Sequence, residues 1–145
     1  MRRALAIGGI TLLAGCGGNG PERLPAACTG NPDAIAKALA AAPSQVKIGG
    51  VPLSHCFTRD ASSTDVQIVG TDLLAVAQQL GDKASAHPEG ADALRLGYLV
   101  GAARRGAARN GLAAELVRRL EQEGARLPAH SSAYQRGLRA GLAKG

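Results

Sequence analysis

Residues 62–80 read Ser-Ser-Thr-Asp-Val-Gln-Ile-Val-Gly-Thr-Asp-Leu-Leu-Ala-Val-Ala-Gln-Gln-Leu. Val66, Val69, Leu73, Val76 and Leu80 recur at intervals of 3, 4, 3 and 4. That spacing puts them on one side of an α-helix, as a seam for packing against another helix. Ser62 as N-cap with Asp65 at N3 suits the start. The pattern predicts a helix running to about Ala86, ahead of Pro88, with Gly70 as a weak point inside it.

Working outward, the rest of the chain supplies partners for that seam. Asn31 as N-cap, Pro32 at N1 and Asp33 in the first turn open a first helix that stops before Pro43. Residues 43–60 break the helical period. Val46 and Ile48 alternate, Gly49-Gly50 permits a tight turn, and Pro52 weakens a second arm, so the segment reads as a structured loop with a short hairpin. A third helix is expected from Pro88-Glu89 to about Arg109. It has two apolar sides and an i, i+4 pair, Gly97 and Gly101, that would admit a neighbouring backbone closely. A fourth follows from Asn110 or Gly111, with Leu112, Leu116, Val117 and Leu120 inward and Gly124 ending it. A fifth opens at Ser132, with Gln135 completing a capping box and Tyr134, Leu138 and Leu142 as its stripe. Aromatic residues make up 2% of the chain and Trp is absent, which excludes an all-β fold as the expectation. The fold class is therefore mainly α: a small bundle of four to five short helices with one irregular, disulfide-pinned loop. At 145 residues there is room for one domain.

The beginning of the chain has a different character. Arg2 and Arg3 precede an uncharged, mostly apolar run, Ala4 to Ala14 (ALAIGGITLLA). This run falls well short of the roughly 20 residues that span a membrane and has the length of a signal-peptide core. It ends in Leu13-Ala14-Gly15-Cys16, followed by Gly17-Gly18. The segment resembles the type II signal peptide of bacterial lipoproteins, whose lipobox is Leu, a small residue, Gly or Ala, then Cys; all four positions match. The resemblance covers residues 1–17 and implies a class of processing. It implies cleavage before Cys16, diacylglyceryl transfer to its sulfur, and anchoring on the extracytoplasmic side of a cell membrane, either membrane being open where a cell has two. The organisation implied is 1–15 signal peptide, 16–31 flexible tether, and 32–145 helical domain. The membrane is then a partner through the lipid on Cys16.

With Cys16 lipidated, Cys28 and Cys56 remain, and an even pair in an oxidising compartment reads as one disulfide. Two sharper readings stand beside it. His55-Cys56 is a catalytic thiol pair in one; in the other, Cys28 and Cys56 join some of His55, His87 and His130 on zinc. Neither shows the sequence neighbourhood or short paired spacing those sites need. No Gly-x-Ser-x-Gly, phosphate loop or His-Glu-x-x-His occurs. Ser54-His55 lacks an acidic partner that sequence can place. No cofactor is implied, and a non-catalytic role is the expectation.

The formal net charge of +6 conceals a split. Residues 16–94 carry 5 basic and 8 acidic side chains, while residues 95–145 carry 10 basic and 3 acidic. Arg95, Arg105, Arg109, Arg118, Arg119, Arg136 and Arg139 form a candidate surface for an anionic partner: lipid headgroups, a wall polymer or an acidic protein. The alternative is mutual neutralisation of the two halves. Nucleic acid is not an expected partner, because the location argues against it and Phe57, Tyr98 and Tyr134 are the whole aromatic set. The expected function is thus a lipid-anchored envelope binding or structural module. Its alternative is a small envelope hydrolase using His55 or another loop histidine.

Overall fold

The computed structural model describes residues 23–57, 61–129 and 131–145. Within them the chain forms α1 (Pro32–Leu39), a hairpin of β1 (Lys47–Ile48) and β2 (Val51–Pro52), then α2 (Ser63–Ala86), α3 (Ala91–Gly106), α4 (Gly111–Ala125) and α5 (Ser132–Lys144). The expected helical bundle with one irregular loop is what the sequence builds.

The Asn31 side chain accepts from the Ala34 N–H at 2.9 Å and starts α1, which buries Ile35 and Leu39 completely. The hairpin is minimal: Lys47 pairs with Pro52 and Ile48 with Val51. Its turn residues, Gly49 at φ 55° and Gly50 at φ 86°, adopt the left-handed conformation that glycine enters without steric cost. Val46 and Ile48 point inward. A 3₁₀ turn, Leu53–Phe57, follows and buries Cys56, whose sulfur is bonded to Cys28 in a second 3₁₀ turn, Ala26–Thr29. Closing this separation of 28 residues contributes roughly 2–4 kcal/mol. Leu24 and Cys28 are buried, which corrects the tether boundary: from Leu24 onward the segment is packed on the bundle.

Ser62 Oγ accepts from the Asp65 N–H at 3.1 Å, and α2 runs for 24 residues, about 36 Å. Val69, Leu73, Val76 and Leu80 are buried along its seam, while Val66 is half-buried. The third helix is shorter than its pattern suggested. His87 to Gly90 form a turn, with the Gly90 N–H donating to the His87 carbonyl at 2.9 Å, and Ala107 is already extended. Between those limits every residue from Leu96 to Ala103 is buried. This is the central helix.

The fifth helix departs most from expectation. Ser131, not Ser132, is the N-cap, accepting from the Tyr134 N–H at 3.2 Å. The inward face is Ala133, Gly137 and Gly141, whereas Tyr134 and Leu138 are half-buried and Leu142 is 41% exposed. Gly97 and Gly101 of α3 meet that glycine face. A Cβ on Gly137 would lie 2.8 Å from Tyr98 N, and one on Gly141 would lie 2.8 Å from Ala102 N. Backbone therefore rests on backbone, as small residues four apart allow. Leu112 of α4 is likewise 47% exposed, against the expectation that it faces inward.

Helix directions follow from these contacts. Gly70 faces Leu116 and Gly81 faces Glu123, so α2 and α4 run parallel. Gly97 faces Leu138 and Gly101 faces Leu142, so α3 and α5 do too. The short connection at 107–110 and the contact of Gly124, near the finish of α4, with Tyr134, in the first turn of α5, set α4 antiparallel to α3, and Arg104 pairs with Glu121 at 2.6 Å across them. One end of the bundle thus holds the starts of α2 and α4 and the finishes of α3 and α5. The other end holds the reverse.

Candidate functional surface

The sequence concentrates cations on the last three helices, and folding divides them between the two ends of the bundle. Arg95 pairs with Asp92 at 3.0 Å, and Arg118 and Arg119 share Glu115. The Arg119 and Arg118 guanidinium groups hold the Glu115 carboxyl below its usual range. Arg126 bridges Glu123 at 2.7 Å and Asp82 at 2.6 Å, and those bonds raise its own pKa. Arg105 donates to the Leu142 and Ala143 carbonyls at 2.8 and 3.1 Å. Arg136 donates to Ser132 Oγ at 3.0 Å. Arg109 and Arg139 are exposed and make no ion pair among the described residues. The seven predicted arginines therefore do not form one patch. Arg95 and Arg136 sit at the end where α3 begins, while Arg105 and Arg109 sit at the end where it finishes. A cleft of about 250 Å³ does gather Arg109 and Arg118 with Arg104, which the sequence reading omitted.

The end where α5 begins is organised by a carboxylate. Glu89, in the turn before α3, accepts from Ser132 N at 2.9 Å, Ala133 N at 3.1 Å and the Ser132 hydroxyl. The Ser132 hydroxyl bond is the largest influence holding Glu89 below the ordinary carboxylate range. Ser131 Oγ donates to the Pro88 carbonyl at 2.6 Å. Glu89 thus meets the positive end of the α5 dipole, and Arg105 meets the negative end. Glu89 comes from the turn before α3 and Arg105 from the last turn of α3 itself.

The residues considered for catalysis are committed elsewhere or apart. Cys56 is in the disulfide, so its sulfur is no thiolate. Ser54 is buried and its hydroxyl donates to the Gly145 carbonyl at 2.6 Å. His55 and His87 are exposed on different turns. Cys16 and His130 lie outside the described residues. Among the described residues no three His, Cys, Asp or Glu side chains gather as a metal site. Tyr98, fully buried, accepts from the Val46 N–H at 3.0 Å and ties the hairpin to α3. Burial raises the Tyr134 phenol pKa, with Arg104 opposing it.

The concave features are shallow. A groove of about 450 Å³ runs between α2 and α4, floored by Val66, Gly70, Leu74 and Leu116 and edged by Leu112 and Arg119. A smaller hollow continues it past Ala61 and Asn110 at the end where both helices start. No described helix is long and apolar enough to cross a membrane. No protein-family model matches the chain, and neither a curated protein nor a solved structure proves similar to it.

Proposed function

We propose that this protein is a lipid-anchored envelope protein on the extracytoplasmic side of a cell membrane, whose helical domain works through its surface and not as a catalyst. Cysteine use carries the reading. Of three cysteines, Cys28 and Cys56 are joined, and the remaining one ends the Leu13-Ala14-Gly15-Cys16 lipobox. A buried cystine supports an oxidising compartment, and an anchor of two or more acyl chains holds a protein firmly where one holds it marginally. The hydrolase reading has no comparable support, with Cys56 oxidised and Ser54 bonded to Gly145.

Intact-mass measurement of natively produced protein tests the anchor. The expected species begins at Cys16 and carries the mass of a diacylglyceryl group, with or without a further acyl chain. A chain that retains residues 1–15, or one beginning at an unmodified Cys16, would overturn the proposal.

A further inference from the structure

Ile68, Leu112 and Leu142 are the exposed large hydrophobic residues among those described, at 49%, 47% and 41%. They come from three helices, yet all sit at one end of the bundle. Ile68 is in the second turn of α2, Leu112 in the first turn of α4 and Leu142 in the last turn of α5. The chain enters the fold at this same end. The Leu24 N–H donates to Asp65 in the first turn of α2, at 3.4 Å.

Charge separates the two ends as well. Around the apolar residues stand Arg23, Arg105, Arg109 and Lys144, all exposed, and none pairs with a carboxylate among the described residues. Among the described residues the acids nearby are Asp65 and, just beyond the first 3₁₀ turn, Asp33. One turn into α4, Glu115 is outnumbered by Arg118 and Arg119. At the opposite end Asp82, Glu89, Asp92 and Glu123 match Lys83, Arg95, Arg126 and Arg136 one for one. Among the described residues, unpaired positive charge is therefore gathered where α2 starts.

We infer that this end of the bundle is a docking surface for an anionic phospholipid bilayer. The inference rests partly on the lipid anchor, because Cys16 precedes Arg23 by seven residues. That separation spans at most about 25 Å. A tether this short holds the start of α2 towards the bilayer. Leucine and isoleucine side chains then enter the interface while arginine and lysine meet phosphate headgroups, each cation contributing favourably near an anionic surface. Long cationic side chains reach headgroups while their stems stay on apolar surface.

Vesicle co-sedimentation of the full chain carrying Cys16→Ser tests the surface without the acyl anchor. The vesicles are phosphatidylcholine alone, or phosphatidylcholine with about 30 mol% phosphatidylglycerol. Residues 4–14 are common to every variant, so differences between variants report on the bundle. The expected result is preferential binding to the anionic vesicles. Arg109→Glu with Lys144→Glu should lower that binding about ten-fold or more. Lys83→Glu with Arg136→Glu, the same change in net charge at the other end, should leave it within about two-fold. Ile68→Ser with Leu112→Ser should make the remaining binding more easily reversed by salt. Equal loss from both charge pairs, no loss from either, or equal binding to neutral vesicles would overturn the inference. Intact mass decides the anchor separately, so either reading can fail without the other.

Discussion

Two helix pairs in this bundle solve the same problem in opposite ways. Between α2 and α4 the contact is made by side chains, with Leu116 over Gly70 and a groove left beside them. Between α3 and α5 the contact is made by backbone, with Gly97, Gly101, Gly137 and Gly141 excluding everything larger. The first interface gains from apolar area and tolerates change. The second gains from dense contact and has no slack. A glycine in the first is a gap; a glycine in the second is a fitted part.

Substituting both glycines of α5, Gly137→Ala with Gly141→Ala, strikes the fitted interface hardest. Each new methyl group meets backbone of α3, so the loss should be about 3–6 kcal/mol in denaturant unfolding despite the better helix propensity of alanine. Removing the cystine with Cys28→Ser and Cys56→Ser should lower stability by roughly 2–4 kcal/mol. The loss should be confined to the oxidised protein and vanish when both forms are compared under reducing conditions. Gly70→Ala sharpens the contrast by reversing the sign. Its Cβ would meet the Leu116 methyls at 3.5 and 3.6 Å, ordinary contact, so stability should rise by about 1 kcal/mol. A destabilised Gly70→Ala variant would mean that the α2–α4 interface is as tight as the other.

The smallest expected effect lies at Glu89. Hydrogen bonds from Ser132, the hydroxyl foremost, depress its pKa in the folded protein. Its stabilising contribution is therefore complete above the ordinary glutamate pKa and is lost as pH falls through the depressed folded value. Glu89→Gln should flatten that part of the acid limb in thermal melts at graded pH. Its change in melting temperature near neutrality should be smaller than that of the cystine variant.

Much of this architecture was legible in residue patterns. The α2 seam, the Ser62 and Asn31 caps, the Gly49-Gly50 turn and the Cys28–Cys56 bridge each leave a local signature, and each is present. The differences on α5 and at Leu112 have separate causes. A helix face read from where leucines recur is misplaced where glycine forms the buried side. Tyr134, Leu138 and Leu142 read as the inner stripe of α5, but the close approach to α3 puts Gly137 and Gly141 inside, leaving Tyr134 and Leu138 half-buried at the side and Leu142 exposed. Leu112 lines a hollow where α4 opens and so stays exposed. Glycines at 137 and 141 repeat the spacing already noticed at 97 and 101, so that interface had a signal on both sides. The arginine surface was less legible, since pairing with Glu115, Glu121 and Glu123 depends on which helices become neighbours. The grouping of charge by bundle end required the helix directions.

The interlock of α3 with α5 also constrains how the molecule opens. Gly97 and Leu138 are brought together only after α4 has looped between them, so their meeting closes a long stretch of chain before any local reward arrives. Glu89 and Arg105 grip the last helix at its two ends, and the helix they grip covers the middle of the core. The amides of α3 and α5 should therefore exchange with solvent in a single cooperative event, as one foldon, with no low-energy route by which the last helix peels away alone.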